Sequence, residues 1–283
     1  MNRGISIHIG LNYLDTEHYT PEVSSLDTCE QDAKDMQSIA LSQNFKSSYM
    51  FLSENATREA IKSAIATASE ELSSGDMLFL TYSGHGGFVL DESGDEDDNL
   101  DETWCLYDGQ LIDDELYYLW SLFDEGVRIF IISDSCHSGT VAKANPNPNG
   151  LEVNDKIFKK KLLSAEVAED VYLKNKDFYS DLEKFYGIKE ERSDSIKASI
   201  KLFAACQDPQ VSYTMTFAKN SIFTEKLKEI WDNGRFLGNY SEFFEQISAE
   251  VEALDFLPTV QTPNLFSVGK EDEAFDNGKP FHI

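Results

Sequence analysis

Hydrophobic positions in this chain switch repeatedly between a strand period and a helix period. Gly4-Ile-Ser-Ile-His-Ile-Gly-Leu-Asn12 alternates with a period of two and predicts a first core strand, with His8 packed among isoleucines. Leu26 to Ser42 carries Leu26, Cys29, Ala33, Met36, Ile39 and Ala40 at helical spacing, with Asp27 or Thr28 available as the N-cap. Ser47 to Leu52 predicts a second strand. Asn55 to Leu72 predicts a helix whose Ala60, Ile61, Ala64, Ile65 and Ala68 share one face. Gly75 to Gly87 and Val127 to Gly139 then contain near-continuous apolar, β-branched runs that end in small polar residues. Such runs fit strands covered on both faces.

Between these two runs, Trp104 to Tyr107 and Gln110-Leu-Ile112 predict short strands, and Asp113 begins a helix reaching about Phe123. Lys201 to Cys206 resumes the strand pattern, Ile222 to Trp231 and Tyr240 to Leu254 read as amphipathic helices, and Asn264 to Val268 is the last strand. The polar tail after Gly269 needs something to tie it down. Strand and helix alternating at intervals of about 30 residues indicate βαβ units and a parallel sheet, hence an α/β fold in one domain. Lys143-Ala-Asn-Pro-Asn-Pro-Asn-Gly150 has turn chemistry. The stretch from there to about Ser199 holds ten of the 24 basic residues with only patchy periodicity. An exposed, partly helical insertion is expected over 141–200.

Composition narrows the partners. With 51 acids against 24 bases the formal charge is −27, which repels a phosphate backbone or an anionic membrane surface. Nucleic-acid and membrane partners are not expected. The amino-terminal residues lack the zones of a signal peptide, and no apolar run approaches the length of a membrane span. Cys29, Cys105, Cys136 and Cys206 show neither paired nor framework spacing, which suits free thiols in a reducing cytoplasm. The Asp91 to Glu102 run has eight acids in twelve positions and is expected as an exposed hairpin or loop.

The two long apolar runs deliver His85 and Cys136 just beyond strand ends, where open α/β sheets form their ligand crevices. An imidazole beside a thiol can take the thiol proton and later return it to a leaving group. Glycines 84, 86 and 87 let a substrate backbone approach, and the Gly86 and Cys136 amides are candidate oxyanion donors. Cys29, Cys105 and Cys206 lie in apolar surroundings and read as packing residues. The His-to-Cys interval, 136 − 85 = 51 residues, is close to the spacing of caspase-type enzymes. His137 is a second imidazole next to the thiol, but neighbouring side chains on a strand-to-loop turn point apart.

Tyr82-Ser-Gly-His-Gly-Gly87 together with Asp134-Ser-Cys-His-Ser-Gly139 resembles the metacaspase branch of the caspase-like cysteine peptidases. Gly10-Leu-Asn-Tyr13, Cys29-Glu-Gln-Asp-Ala33, Asp101-Glu-Thr103, Leu111 to Leu116 and Gln261-Thr-Pro263 add to the likeness. It covers Gly4 to about Thr140 well and Leu202 to Val268 loosely, and does not extend to residues 141–200. The resemblance implies a caspase-like α/β/α sandwich around a mostly parallel six-stranded sheet. Residues 1–140 would then be the large-subunit-like part, 141–200 a linker and 201–283 the small-subunit-like part.

The resemblance also implies a His85–Cys136 dyad forming a thioester, and a P1 pocket lined by Asp32, Ser83 and Asp134. (P1 is the residue whose carbonyl is attacked; residues before it are P2, P3 and P4, and the one after it P1′.) Negative charge beside the scissile bond favours Arg or Lys there, so protein or peptide substrates with a basic P1 are expected, acted on by a monomer. No cofactor is required. Calcium as an activator is implied through Asp101, Asp113 and Asp114, although Lys143 and its neighbours stand where a fourth carboxylate would be needed. Lys159, Lys160, Lys161, Lys174, Lys176 and Arg192 in the linker offer sites for self-cutting, or a way to hold the loop across the cleft. Two other readings share the fold: a catalytically silent signalling module, and a legumain-like transpeptidase or ligase.

Overall fold

Residues 2–90, 100–136, 157–186, 195–207 and 210–283 are described in a computed structural model. Six strands form the central sheet: β1 (Gly4–Gly10), β2 (Ser47–Leu52), β3 (Met77–Ser83), β7 (Arg128–Asp134), β9 (Ser199–Ala204) and β11 (Asn264–Gly269). Their order is β11-β9-β7-β3-β1-β2, and every pairing is parallel except β11 with β9. The fold is the caspase-like α/β/α sandwich.

Each buried strand shows one set of side chains to each layer. Leu78, Leu80 and Tyr82 of β3 and Ile129 and Ile131 of β7 meet α2 (Arg58–Glu71) and α3 (Asp113–Ser121). Phe79 and Phe130, with Met77 and Ile132, meet α1 (Cys29–Ser42), α6 (Ile222–Trp231) and α7 (Tyr240–Glu252) on the opposite face. The period of two is therefore present in the apolar runs but concealed, because both of its phases are buried. His8 is fully buried and its Nδ1 lies 3.0 Å from Thr81 Oγ1, a packed histidine. The tail after β11 is tied down by Phe275 and Phe281, both buried, and by the Arg128–Asp272 ion pair at 2.6 Å.

Two smaller sheets surround the carboxyl edge of the central one. β4 (Gly86–Leu90), β5 (Leu100–Leu106) and β6 (Gly109–Ile112) form an antiparallel three-stranded sheet, and β8 (Phe158–Lys160) pairs antiparallel with β10 (Tyr213–Met215). The expected exposed acidic loop is corrected at its end, since residues 100–102 belong to β5 and Asp101 is buried; residues 91–99 lie outside the described residues.

The expectation of an exposed 141–200 insertion is also corrected where that stretch is described. α4 (Ala165–Lys174) and α5 (Lys176–Tyr186) bury Ala168, Val171, Tyr172, Tyr179 and Tyr186. Tyr172 and Tyr179 pack with Val89 of β4 and Ile112 of β6. Their aromatic rings are spread over two short helices, which hides the apolar face from a count of periodicity. His137, Lys143 and Arg192 lie outside the described residues.

Candidate active site

Strand register builds the floor of the site. Gly10 of β1 is opposite Ser83 of β3, and Ser83 is opposite Asp134 of β7, so the three form a row at the carboxyl edge of the sheet. α1 packs close over β1, where a Cβ at Gly10 would collide with the Cys29 carbonyl. This approach brings Asp32 in the first turn of α1 to the same row, and Ser83 Oγ donates to Asp32 Oδ2 at 2.7 Å.

The start of α6 completes a well around these acids. Asp32 Oδ1 accepts from the Ser221 amide at 3.0 Å and from Asn220 Nδ2 at 3.0 Å, while its Oδ2 accepts from Ser221 Oγ at 2.6 Å. Asp134 Oδ2 accepts from Thr224 Oγ1 at 2.6 Å and from the Thr224 amide at 3.2 Å, and its Oδ1 accepts from Ser212 Oγ at 3.1 Å. Both carboxylates thus take N–H groups from the first turn of a helix, whose dipole favours anions there.

The well holds the side chain of Lys161. Its Nζ donates to Ser83 Oγ at 2.8 Å and Ser221 Oγ at 2.9 Å, and lies 2.9 Å from Asp134 Oδ1 and 3.7 Å from Asp32 Oδ2. Three near contacts match the three protons of an ammonium. Lys161 is completely buried. Burial works against its charge, but Asp134, Cys29 and Asp32 outweigh that and hold its pKa well above the ordinary lysine value. Burial pushes the Asp32 carboxyl up, against the pull of Lys161.

The backbone of Lys161 is held as well. Its carbonyl oxygen accepts from the Gly86 amide at 2.9 Å and from the Cys136 amide at 3.2 Å, and its own amide donates to the Ser212 carbonyl at 3.0 Å. The Leu163 amide donates to the Gly86 carbonyl at 2.9 Å, and Leu162 bridges to Gly86 in parallel. A Cβ at Gly86 would collide with the Cys136 carbonyl, so this position requires glycine.

Around the thiol and imidazole, polarity is narrowly arranged. Cys136 Sγ accepts the Ser212 amide at 2.8 Å. His85 Nε2 lies 2.8 Å from the Ser24 carbonyl, which can only accept, so Nε2 carries the hydrogen and Nδ1 the lone pair. His85 Nδ1 is buried with no hydrogen-bond partner among the described residues. Burial, helped by Lys161 and Lys159 and opposed by the Ser24 carbonyl, pulls the imidazole down to about 4. Tyr82, stacked on Trp104 at 4.6 Å, donates from its hydroxyl to the His85 carbonyl at 2.6 Å and fixes the loop that carries the imidazole. The other cysteines fit packing roles: burial pushes Cys29 up to about 11 and raises Cys105 further still.

The description "Metacaspase, peptidase C14 domain" matches residues 6–145. The chain belongs to the metacaspases. Metacaspase-1A of Neurospora crassa is 36% identical over 148 residues, covering 47% of this chain and 31% of that protein. Metacaspase-1 of Schizosaccharomyces pombe is 32% identical over 145 residues, covering 46% and 33%. The alignments thus span about a third of these curated relatives. The crystal structure of protein GSU0716 from Geobacter sulfurreducens is 39% identical, with a TM-score of 0.85 and coverage of 99% of both chains. Caspase-1 of Spodoptera frugiperda shares the fold at a TM-score of 0.56 and 14% identity, over 96% of this chain and 92% of that one.

Within this metacaspase, the structure gathers Asp32, Ser83 and Asp134 on one ammonium and the Gly86 and Cys136 amides on one carbonyl. Sequence reading missed Ser212, Asn220, Ser221 and Thr224. Ser221 reads as the N-cap of α6, yet its hydroxyl turns to Asp32 instead of the helix. A helix start carrying Asn, Ser and Thr beyond capping needs is the signal that was available.

Asp113 heads α3, while Asp101 and Asp114 are buried. Their carboxylates suit a hard cation, but among the described residues no group of three or more metal-binding side chains comes together. Among the same residues no helix is long and apolar enough to cross a membrane.

Proposed function

We propose that this metacaspase is a cysteine endopeptidase that cuts after Lys or Arg, and that its own Lys161–Leu162 bond is its first substrate. One observation carries the reading. The Lys161 carbonyl accepts from the two amides expected to hold an oxyanion, while its ammonium is met by the carboxylates of Asp32 and Asp134. A basic side chain and a carbonyl held together in this way are what a P1 residue needs.

The chemistry follows from the donor and acceptor inventory. His85 Nδ1 takes the proton of the Cys136 thiol, and Sγ attacks the Lys161 carbonyl carbon. The oxygen gains negative charge, and the Gly86 and Cys136 N–H groups stabilise it in a buried setting. Collapse of the adduct breaks the C–N bond as Nδ1–H protonates the Leu162 nitrogen, leaving a thioester on Cys136. Water, deprotonated by the same nitrogen, then attacks the thioester and returns the thiol. The Ser24 carbonyl holds Nε2–H throughout, fixing the tautomer and steadying the imidazolium. Arginine fits the same well by charge, since two carboxylates converge where its guanidinium would end.

Intact-mass measurement on wild type, Cys136→Ala and Lys161→Ala tests the proposal. Wild type should yield two fragments meeting between Lys161 and Leu162, and both variants should stay whole. Cutting at that bond in Cys136→Ala, or no cutting by wild type together with no turnover of peptides carrying Lys or Arg at P1, would overturn it.

A further inference from the structure

We infer that the cleft has two more specificity sites, one for a cation at P3 and one for an aromatic ring at P4. Substrates cut in trans would then be basic segments preceded by an aromatic residue. This rests on the P1 reading above and extends it.

The chain's own Ile157-Phe-Lys-Lys-Lys161 is laid along β10 as an added strand. Tyr213 is opposite Lys160, Thr214 opposite Lys159 and Met215 opposite Phe158, while the Thr216 amide donates to the Ile157 carbonyl at 2.8 Å and the Lys161 amide to the Ser212 carbonyl at 3.0 Å. Strand addition of this kind draws affinity from the main chain, which any sequence supplies, and selectivity from side chains at alternate positions. Lys159 and Lys161 share one side of the strand, and both reach acids at the beginning of α1. Lys159 Nζ lies 2.6 Å from Asp27 Oδ2 and donates to the Ser25 carbonyl at 2.8 Å. A cation at P3 therefore meets a carboxylate and a carbonyl, whereas an anion there would face both.

Phe158, at P4, points to the other side. Its ring lies 6.2 Å from Tyr213 at 79° and 6.4 Å from Phe256 at 25°, one edge-on and one stacked partner. It packs against the apolar cluster containing Val211, Leu257 and Cys136 itself. Tyr213 is fixed by its hydroxyl, 3.0 Å from Thr259 Oγ1, and by its amide, which donates to Gln261. Phe256 is half exposed, so the outer wall of this site is apolar surface offered to solvent. Neither the Lys159–Asp27 pair nor the Phe158–Phe256 stack belongs to the P1 well.

Acetylated coumarylamides of Phe-Lys-Lys-Lys, with Glu or Ala at P3, Ala at P4 or Asp at P1, should be assayed on the chain after its own bond has been cut. Asp27→Lys and Phe256→Ala are assayed beside it, and the readout is the ratio of kcat/KM between peptides within each protein. Replacing P3 Lys by Glu should lower kcat/KM roughly fivefold, the scale of a partly exposed ion pair, and Asp27→Lys should reverse that preference. Replacing P4 Phe by Ala should cost about tenfold, and Phe256→Ala should shrink that advantage to about threefold. Equal turnover across the P3 and P4 series, or ratios unmoved by the two variants, would overturn the inference while leaving the P1 reading standing. Turnover of P1 Asp equal to P1 Lys would instead bring down the P1 reading and this one with it.

Discussion

At the scale of single residues, the site is a problem in satisfying buried charge. Lys161 enters a well whose carboxylates already accept six hydrogen bonds from Ser212, Asn220, Ser221 and Thr224 side chains and amides, besides that of Ser83. Leaving either buried carboxylate without a cation is costly. Asp134→Ala removes the carboxylate nearest the ammonium, and truncating one partner of a buried charged pair costs about 3 kcal/mol, or two orders of magnitude. The expected result is a hundredfold loss in kcat/KM for Lys and Arg peptides with iodoacetamide labelling of Cys136 retained; unchanged turnover would remove Asp134 from the P1 site. His85 gives the second test. Its pKa is lowered to about 4 while the segment 157–163 covers it, so the neutral, proton-accepting form is present above that value and is lost as pH falls through it. Self-cutting followed by single-turnover mass measurement should therefore hold its rate from neutral pH down to about 5 and fall near 4. A fall centred near the ordinary histidine value of 6.5 would contradict a base buried in this way.

Elements differ in how much of their role could be read from the chain. The strands of the central sheet were legible as short apolar or β-branched runs, and α1, α2, α3, α6 and α7 because each carries an apolar face at the helix period. His85, Cys136, Ser83 and Asp134 could be picked out as candidates because they stand at or beyond the ends of apolar runs, at the carboxyl edge of the sheet. β4, β8 and β10 were not foreseen. β4 begins inside a glycine-rich turn, while β8 and β10 are three residues each and acquire strand form only from each other. Nor was the burial of Lys161, because a run of three lysines reads as a solvated face until opposing carboxylates are located in space. α4 and α5 were hidden by aromatics whose polar ends make the contacts. Tyr179 Oη accepts from the Gln110 amide at 3.2 Å and lies 2.6 Å from His18 Nε2. Tyr179→Phe should thus cost about 1–2 kcal/mol through unpaired buried groups, lowering Tm by about 3–6 °C. An unchanged Tm in a thermal scan would show that α5 is not docked as described.

Across the whole molecule, the position of the proposed cut relative to the sheet decides what cutting can do. The Lys161–Leu162 bond separates β7 from β9, yet these strands are parallel neighbours, from Arg128 opposite Ser199 to Ser133 opposite Ala204. Phe130 and Ile132 before the cut share a core with Phe203, Phe223, Trp231 and Phe243 after it. α4 and α5, immediately after the cut, stay docked through Tyr172 and Tyr179 against β4 and β6. Cutting therefore leaves the apolar burial between the two parts in place and frees the side of the junction that ends at Lys161. What is lost is one of two tethers, the one through Leu162; Lys161 stays joined to Cys136 through the preceding chain but at lower effective concentration over the well, so an outside substrate can then compete for it. The self-cut protein should elute in native size-exclusion chromatography as one species at the volume of Cys136→Ala, and resolve into two fragments only in denaturant. Its kcat/KM for a P1 Lys peptide should exceed that of freshly prepared uncut chain by at least about tenfold. Fragments that separate without denaturant would mean that the sheet does not hold across the break. Equal activity before and after the cut would mean that Lys161 does not obstruct the well it occupies.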